Sequence, residues 1–191
     1  MANYFTNLPK VGYDINGTGK DSFLSVTNIM KSVRFKPAVL EDISNYYPYF
    51  VKEGERPDII ANEQYGNIGY AYLILLVNDI YDPNFDWPLS SQIFEKYIIN
   101  KYGSVTIAIS GIKHYYQIVR AEVPRTGTSE RIPEVKFAID ETTYDALDSG
   151  DRTTLSNYDH EVELNDAKRE IRLINPAFIR DIDYQIKRTL K

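Results

Sequence analysis

Residues 49–87, YFVKEGERPDIIANEQYGNIGYAYLILLVNDIYDPNFDW, decide how this chain folds. Tyr46 to Lys52 alternates as a strand does, and Glu53-Gly54 turns it. Arg56-Pro57-Asp58 opens a helix. Pro57 suits the first helical position, where its missing N–H would have no partner, and Asp58 lies at the positive end of the helix dipole. Gly66 closes that helix in a left-handed cap, which leaves Asp58 to Tyr65 as a short segment. Gly69 to Asp79 is apolar nearly all round, so periodicity alone does not separate helix from buried strand. Its context makes it a second helix, buried between a sheet and a third element. Asn78 and Asp79 end it, and Pro83 disfavours helix at Asp82, so Ile80 to Asn84 is extended or turned.

Towards the C-terminus, Ser90 or Ser91 caps a third helix, Gln92 to Tyr102, which ends at Gly103. Ile93, Phe94, Tyr97, Ile98 and Lys101 share one of its faces. Val105, Ile107 and Ile109 alternate with Thr106, Ala108 and Ser110, Gly111 turns, and His114 to Val123 returns, which predicts a hairpin. Pro124 to Pro133 is a polar loop, and Val135 to Ile139 and Thr142 to Leu147 give one or two more short strands. Tyr158 to Ile174 fits either a helix or a strand leading into a helix. Asn175 and Pro176 then start a last helix as cap and first residue. Its stripe is Phe178, Ile179, Ile182, Ile186 and Leu190, with acids early and bases late as the dipole favours. Residues 1–28 read as an extended arm with turn chemistry at Asp14 to Ser22, and Ser25 to Phe35 has strand composition up to Pro37. The expectation is an α+β fold in four segments: arm and strand (1–45), a βααβ middle with an added helix (46–103), a hairpin-rich region (104–152) and a C-terminal helical segment (153–191).

The bulk composition narrows the function. A chain of 191 residues buries enough surface to fold without staples, and with no Cys it has no disulfide, thiolate nucleophile or Cys-ligated zinc. Its 22 basic and 27 acidic side chains give a net charge of −5, which disfavours nucleic-acid and membrane binding through bulk positive charge. The N-terminus MANYFTNLPK lacks a signal-peptide pattern, and the longest apolar run, Tyr70 to Val77, is far short of the roughly 20 residues a membrane helix needs. The expectation is a soluble protein that stays in the cell that makes it. The 16 Tyr against 8 Phe and one Trp suit either contact surfaces or half-buried strand positions.

No constellation for catalysis, cofactor or metal emerges. His114 and His160 lie in different elements, with no local set of three or four ligands for zinc. A calcium loop from Asp14 would continue through Asn16 and Thr18 but has Ser25 where the closing Glu belongs. Gly17-Thr18-Gly19-Lys20 lacks the phosphate-loop spacing, and no GxSxG turn presents a serine. Asp79, Asp82 and Asp86 beside Trp87 have the look of a sugar cleft, yet Asp82-Pro83-Asn84 is ordinary turn chemistry.

Tyr49, Val51, Gly54, Pro57, Ile60, Ala61, Tyr65, Gly66, Leu73, Leu76, Asn78 and Pro83 resemble the pattern of a lysin-motif (LysM) domain, in which two helices pack on one side of a two-stranded sheet. A broader resemblance runs through NYFTNLPKVGYDINGTGK, VTNIMKSVRFK, YDPNFDWPLSSQIFEKYI and EVELNDAKREIRLINPAFI. It is to the small LysM-containing wedge proteins of T4-type contractile-phage baseplates. The resemblance implies a non-enzymatic virion component of the tail baseplate, assembled in the host cytoplasm. It also implies partners among the other wedge proteins, including the wedge core and the sheath-initiating wedge protein, and no cofactor. An exposed arm and a separate C-terminal helix would reach those partners, and the interface candidates are Tyr81, Pro83, Trp87, Phe178, Ile182 and Ile186. The alternative is a carbohydrate-binding module that recognises peptidoglycan.

Overall fold

The structure, a computed structural model, describes residues 7–14, 17, 23–35, 43–127 and 130–190. Backbone packing divides the chain into two units, residues 1–88 with 168–191, and residues 89–167. These divisions differ from the expected segments ending at 103 and 152. The chain leaves the first unit after Pro88 and returns to it at Lys168, so the second unit is an insertion.

In the first unit, β1 (Lys10–Asp14) and β2 (Phe23–Thr27) form an antiparallel hairpin. The expected arm is thus paired over these residues. Most of the turn-rich stretch 14–22, and Pro37, lie outside the described residues. After a 3-10 turn at Ile43–Asn45 come β3 (Tyr46–Phe50), α1 (Pro57–Tyr65), a 3-10 turn at Ile68–Tyr70, and α2 (Ala71–Val77). Pro57 occupies the first helical turn, and Gly66 caps α1 at φ 67° with its N–H on the Asn62 carbonyl. Only glycine takes that backbone conformation without strain.

The partner of β3 comes from far along the chain. It is β7 (Glu170–Ile174), antiparallel, with Tyr47 opposite Leu173 and Tyr49 opposite Ile171. The order of packed elements is therefore strand, helix, helix, strand, with the insertion between α2 and the closing strand. On one side, Val51, Ile60, Ala61, Ile74, Trp87, Ile171 and Leu173 form a core. On the other, Leu73 and Val77 of α2 join Leu8, Ile174 and the C-terminal helix α7 (Ile179–Leu190) through Ile179, Ile186 and Leu190. This explains why α2 is apolar all round: it lies between two clusters. Asp183, buried in α7, accepts from the Tyr72 hydroxyl at 2.6 Å and from Lys187, tying α7 to α2. The separate C-terminal helix expected to reach past the middle is instead part of its core.

Both outer edges of the β3–β7 sheet are closed to further strands. Val51 N donates to Arg169 O and Asn175 N to Asn45 O, so the intervening odd positions of β3 point their backbone groups at β7. Pro48 therefore turns its missing N–H outwards, where an edge is normally blocked. On β7, the Asn78 side chain accepts from Arg172 N at 2.8 Å and donates to Arg172 O at 2.9 Å, as a strand residue would. Its amide also donates to Ile74 O, and the Tyr65 hydroxyl donates to Ile174 O. Asn78→Ala is expected to cost about 1 kcal/mol, the net worth of side-chain hydrogen bonds to backbone groups that water can largely reach. Faster hydrogen exchange at the Arg172 amide should accompany it; an unaltered urea midpoint would refute the edge-lock role.

The second unit contains α3 (Ser91–Tyr102), α4 (Val105–Ser110), β4 (Ile112–Arg120), β5 (Val135–Ile139), α5 (Glu141–Ala146), β6 (Arg152–Ser156) and α6 (Asn157–Ala167). Its antiparallel sheet has the order β5-β4-β6. Two expected strands are helices. Residues 105–110 follow Ser104, whose side chain accepts from Ile107 N as an N-cap, and Ala108 is buried. Residues 141–146 follow Asp140, whose carboxylate accepts from the Thr142 and Thr143 hydroxyls and from Thr143 N. Those bonds, led by Thr142, hold the Asp140 pKa down at about 2. Neither reading open for 158–174 holds: the structure has helix first (α6), then strand (β7), the reverse of a strand leading into a helix.

Candidate interaction surface

The residues after α2 build a stiff turn. Asp79 sits at φ 53°, in the left-handed region. Ile80 N donates to Leu75 O and Asp79 N to Leu76 O, the double closure of a Schellman cap in which Asp takes the usual glycine place. Asp82 then nucleates a second turn: its side chain accepts from Asn84 N at 3.0 Å, and its carbonyl accepts from Phe85 N and Asp86 N. Asp86 in return accepts from Asp82 N at 3.2 Å, and Asp79 accepts from the Tyr81 hydroxyl. The carboxylates that suggested a sugar cleft are thus engaged in closing turns.

Trp87 ends this loop and is 6% exposed. Its ring packs in the core with Val51, Ile60 and Ile74, and its Nε1 donates to the Glu55 carbonyl at 2.9 Å. Glu55 also accepts from the Tyr49 hydroxyl and from Lys52 N, so Trp87 and Glu55 together clamp the turn between β3 and α1. Burial first, and the Glu55 hydrogen bond second, push the Tyr49 pKa up to about 12, which keeps its hydroxyl a donor. Trp87 is therefore a core plug, and its ring is not presented to a partner. Ile186 is likewise buried in the first unit, and Ile182 is half-buried against the same cluster. Phe178 is exposed, as are Tyr81 and Pro83. Phe85, which the sequence reading passed over, is 68% exposed, and the signal for it was an aromatic two residues past a turn proline.

The hairpin at the start of the chain carries a second apolar surface. Val11 pairs with Val26 and Tyr13 with Leu24, which puts all four on one face, and all four are exposed. The alternation in KVGYD and FLSVT held this signal. A two-stranded hairpin with an uncovered apolar face is marginal in water by itself. Leu8 before it is buried in the first unit's core, and Val33 and Phe35 after it pack on that core.

The second unit is organised around a buried carboxylate. Glu161 of α6 accepts from the Tyr97 hydroxyl at 3.0 Å, Lys101 Nζ at 2.7 Å and the Tyr102 hydroxyl at 2.8 Å, all from α3. Asn165, also on α6, pairs with the backbone of Leu89 through both N–H and C=O. These bonds tie α6 to α3 and to the residue leading into it, so the cluster reads as architecture. His114 and His160 meet edge-to-face with ring centres 5.5 Å apart, and among the described residues no group of three or more ligand side chains is placed to hold a metal.

The surfaces that remain are apolar and exposed, which suits contact with other proteins. A sequence model of the family described as base plate wedge protein 53 matches residues 4–186. The chain is also 37% identical over 57 residues to the baseplate wedge protein gp53 of Enterobacteria phage T4; the match spans 30% of this chain and 29% of that protein. With the match extending across nearly all of its length, the chain belongs to the base plate wedge protein 53 family.

Proposed function

We propose that this chain is a structural wedge subunit of a contractile phage tail. In this reading it joins other wedge proteins, the wedge core and the sheath-initiating wedge protein among them, as the baseplate assembles in the host cytoplasm. The family match over residues 4–186 carries the reading. Two structural features support it. The strand–helix–helix–strand order of the first unit is that of a LysM-like module, used here as a rigid support. The apolar hairpin face of Val11, Tyr13, Leu24 and Val26 is the kind of surface that an assembly covers.

The test is complementation of a phage lacking this gene. The wild-type chain is expected in purified virions, located at the baseplate by electron microscopy. A variant lacking residues 10–27, joined across the hairpin's base, should keep a folded core yet yield few complete baseplates. Absence of the wild-type chain from virions, combined with saturable retention on peptidoglycan, would replace this reading with a glycan-binding one.

A further inference from the structure

The hairpin β1–β2 leaves half of its own backbone unpaired. Asn28 N donates to Pro9 O at 2.8 Å, which fixes the parity of the ladder. Val11 therefore exchanges hydrogen bonds with Val26, and Tyr13 with Leu24, while the N–H and C=O groups of the alternate residues point outwards. On β1 the outward residues are Lys10, Gly12 and Asp14, and on β2 they are Phe23, Ser25 and Thr27. The two edges are not alike. Lys10 and Asp14 put charge on the β1 edge, a usual guard against further pairing. The β2 edge, FLSVT, carries no charge, no proline and no bulge, and all five of its residues are exposed. Among the described residues no third strand pairs with it. In the β3–β7 sheet, by contrast, Pro48 and Asn78 close both edges.

We propose that the β2 edge takes up a third strand, an extended segment of a different baseplate protein with apolar side chains opposite Leu24 and Val26. This rests on the wedge reading above and adds to it the surface and the chemistry of its partner. Backbone chemistry selects the occupant. A row of outward N–H and C=O groups is satisfied in full by another strand. A helix laid over Val11, Tyr13, Leu24 and Val26 would cover the apolar face and leave that row unpaired. Stability points the same way, since a two-stranded hairpin gains independent stability from a third strand. A second copy of the hairpin is the wrong occupant. Phe23, Ser25 and Thr27 of one copy would pair with the same three of the other, and residues directly opposite each other share a face. Leu24 and Val26 of both copies would then lie side by side, and the uncovered apolar surface would double. A different protein supplies a strand together with a body that lies over that face.

The experiment uses the full-length chain in the complemented phage. Ser25→Pro removes an outward N–H that the hairpin itself does not use, so the ladder is kept while the edge is blocked. Incorporation into virions should fall about tenfold, the effect of losing backbone hydrogen bonds to a partner strand. Ser25→Lys keeps the backbone, guards the edge with charge and should lower incorporation as well. Gly12→Pro makes the proline change directly opposite, on the β1 edge, and should leave incorporation within about twofold of wild type. Circular dichroism and urea midpoint of all three variants should match wild type. A photo-reactive benzoylphenylalanine at position 25 should cross-link, in assembled particles, to a peptide of another baseplate protein with apolar residues at every second position. Wild-type incorporation of Ser25→Pro and Ser25→Lys, or equal losses for the two proline variants, overturns strand addition while leaving the wedge reading intact. So do cross-links joining two copies of this chain, or a cross-linked peptide without that alternation. Absence of the wild-type chain from particles removes both.

Discussion

Trp87→Ala is expected to destabilise the first unit by about 3–5 kcal/mol, the range for deleting a large buried aromatic. Trp87 is 6% exposed and lies among Val51, Ile60, Ala61, Ile74, Ile171 and Leu173, side chains from both helices, from β7 and from the residue that follows β3. The truncation leaves a cavity in this cluster. It also strands the Glu55 carbonyl, which the indole N–H satisfies. Natural domains have about 5–15 kcal/mol in total, so the variant should sit near its unfolding threshold at 37 °C. Trp87→Phe separates the two contributions: it keeps most of the ring and loses the donor, and should cost about 1–3 kcal/mol. Trp87 is the single tryptophan, so the variants must be followed by far-UV circular dichroism and not by fluorescence. An unchanged urea midpoint together with failed baseplate assembly would show that the ring serves a partner and not the core.

That prediction reverses the role first read for Trp87, and the reason is general. Composition places an aromatic after a proline turn, and both a partner anchor and a core plug look alike in one dimension. What separates them is whether chain from elsewhere closes over the ring. Here Ile171 and Leu173 of β7 do so, and β7 is separated from its partner β3 by the whole second unit. Local punctuation was legible: Pro57 opens α1, Gly66 closes it, and Gly103 ends α3. The identity of the strand that completes the sheet was not, since alternation marks a segment as a strand without saying which distant segment it pairs with.

The two misread strands teach the complementary point. VTIAIS has the β-branched alternation of a strand, and ETTYDA has two threonines. Each is six residues long, too short for its own preference to prevail over a good cap. Ser104 and Asp140 both supply that cap, and residue type alone made them visible as helix starts. The interface candidates divide on similar grounds. Most of the stripe read for α7 is one apolar face filled by the chain's own core, with Ile179, Ile186 and Leu190 buried, while Phe178 lies just before the helix and is exposed. Tyr81, Pro83 and Phe85 break any period, and they are the residues left outside.

The second large effect concerns Glu161. Burial alone would raise its pKa, but hydrogen bonds from Lys101, Tyr102 and Tyr97 outweigh that and hold it below the ordinary 4.5. The same carboxylate, acting first through its hydrogen bond, raises the Lys101 pKa above its ordinary 10.5. A carboxyl with a depressed folded value contributes stability that is complete above its unfolded pKa and is lost as pH falls through the folded one. A lysine with a raised value contributes below its unfolded pKa and loses it as pH rises through the folded one. The second unit should therefore be most stable on a plateau between about pH 5 and pH 10. Glu161→Gln keeps the shape, removes the charge and weakens three hydrogen bonds at once. Lys101 is partly solvated, which reduces the ion-pair share, so the expected cost at pH 7 is about 2–3 kcal/mol, mostly from the tyrosine hydroxyls and the lost charge-assisted bonds. The difference between variant and wild type should shrink steadily as pH is lowered from 5 to 3, because wild type then loses the same charge by protonation. A gap that stays constant over that range would mean that Glu161 contributes through packing alone, and that the nest of Tyr97, Lys101 and Tyr102 does not hold it ionised.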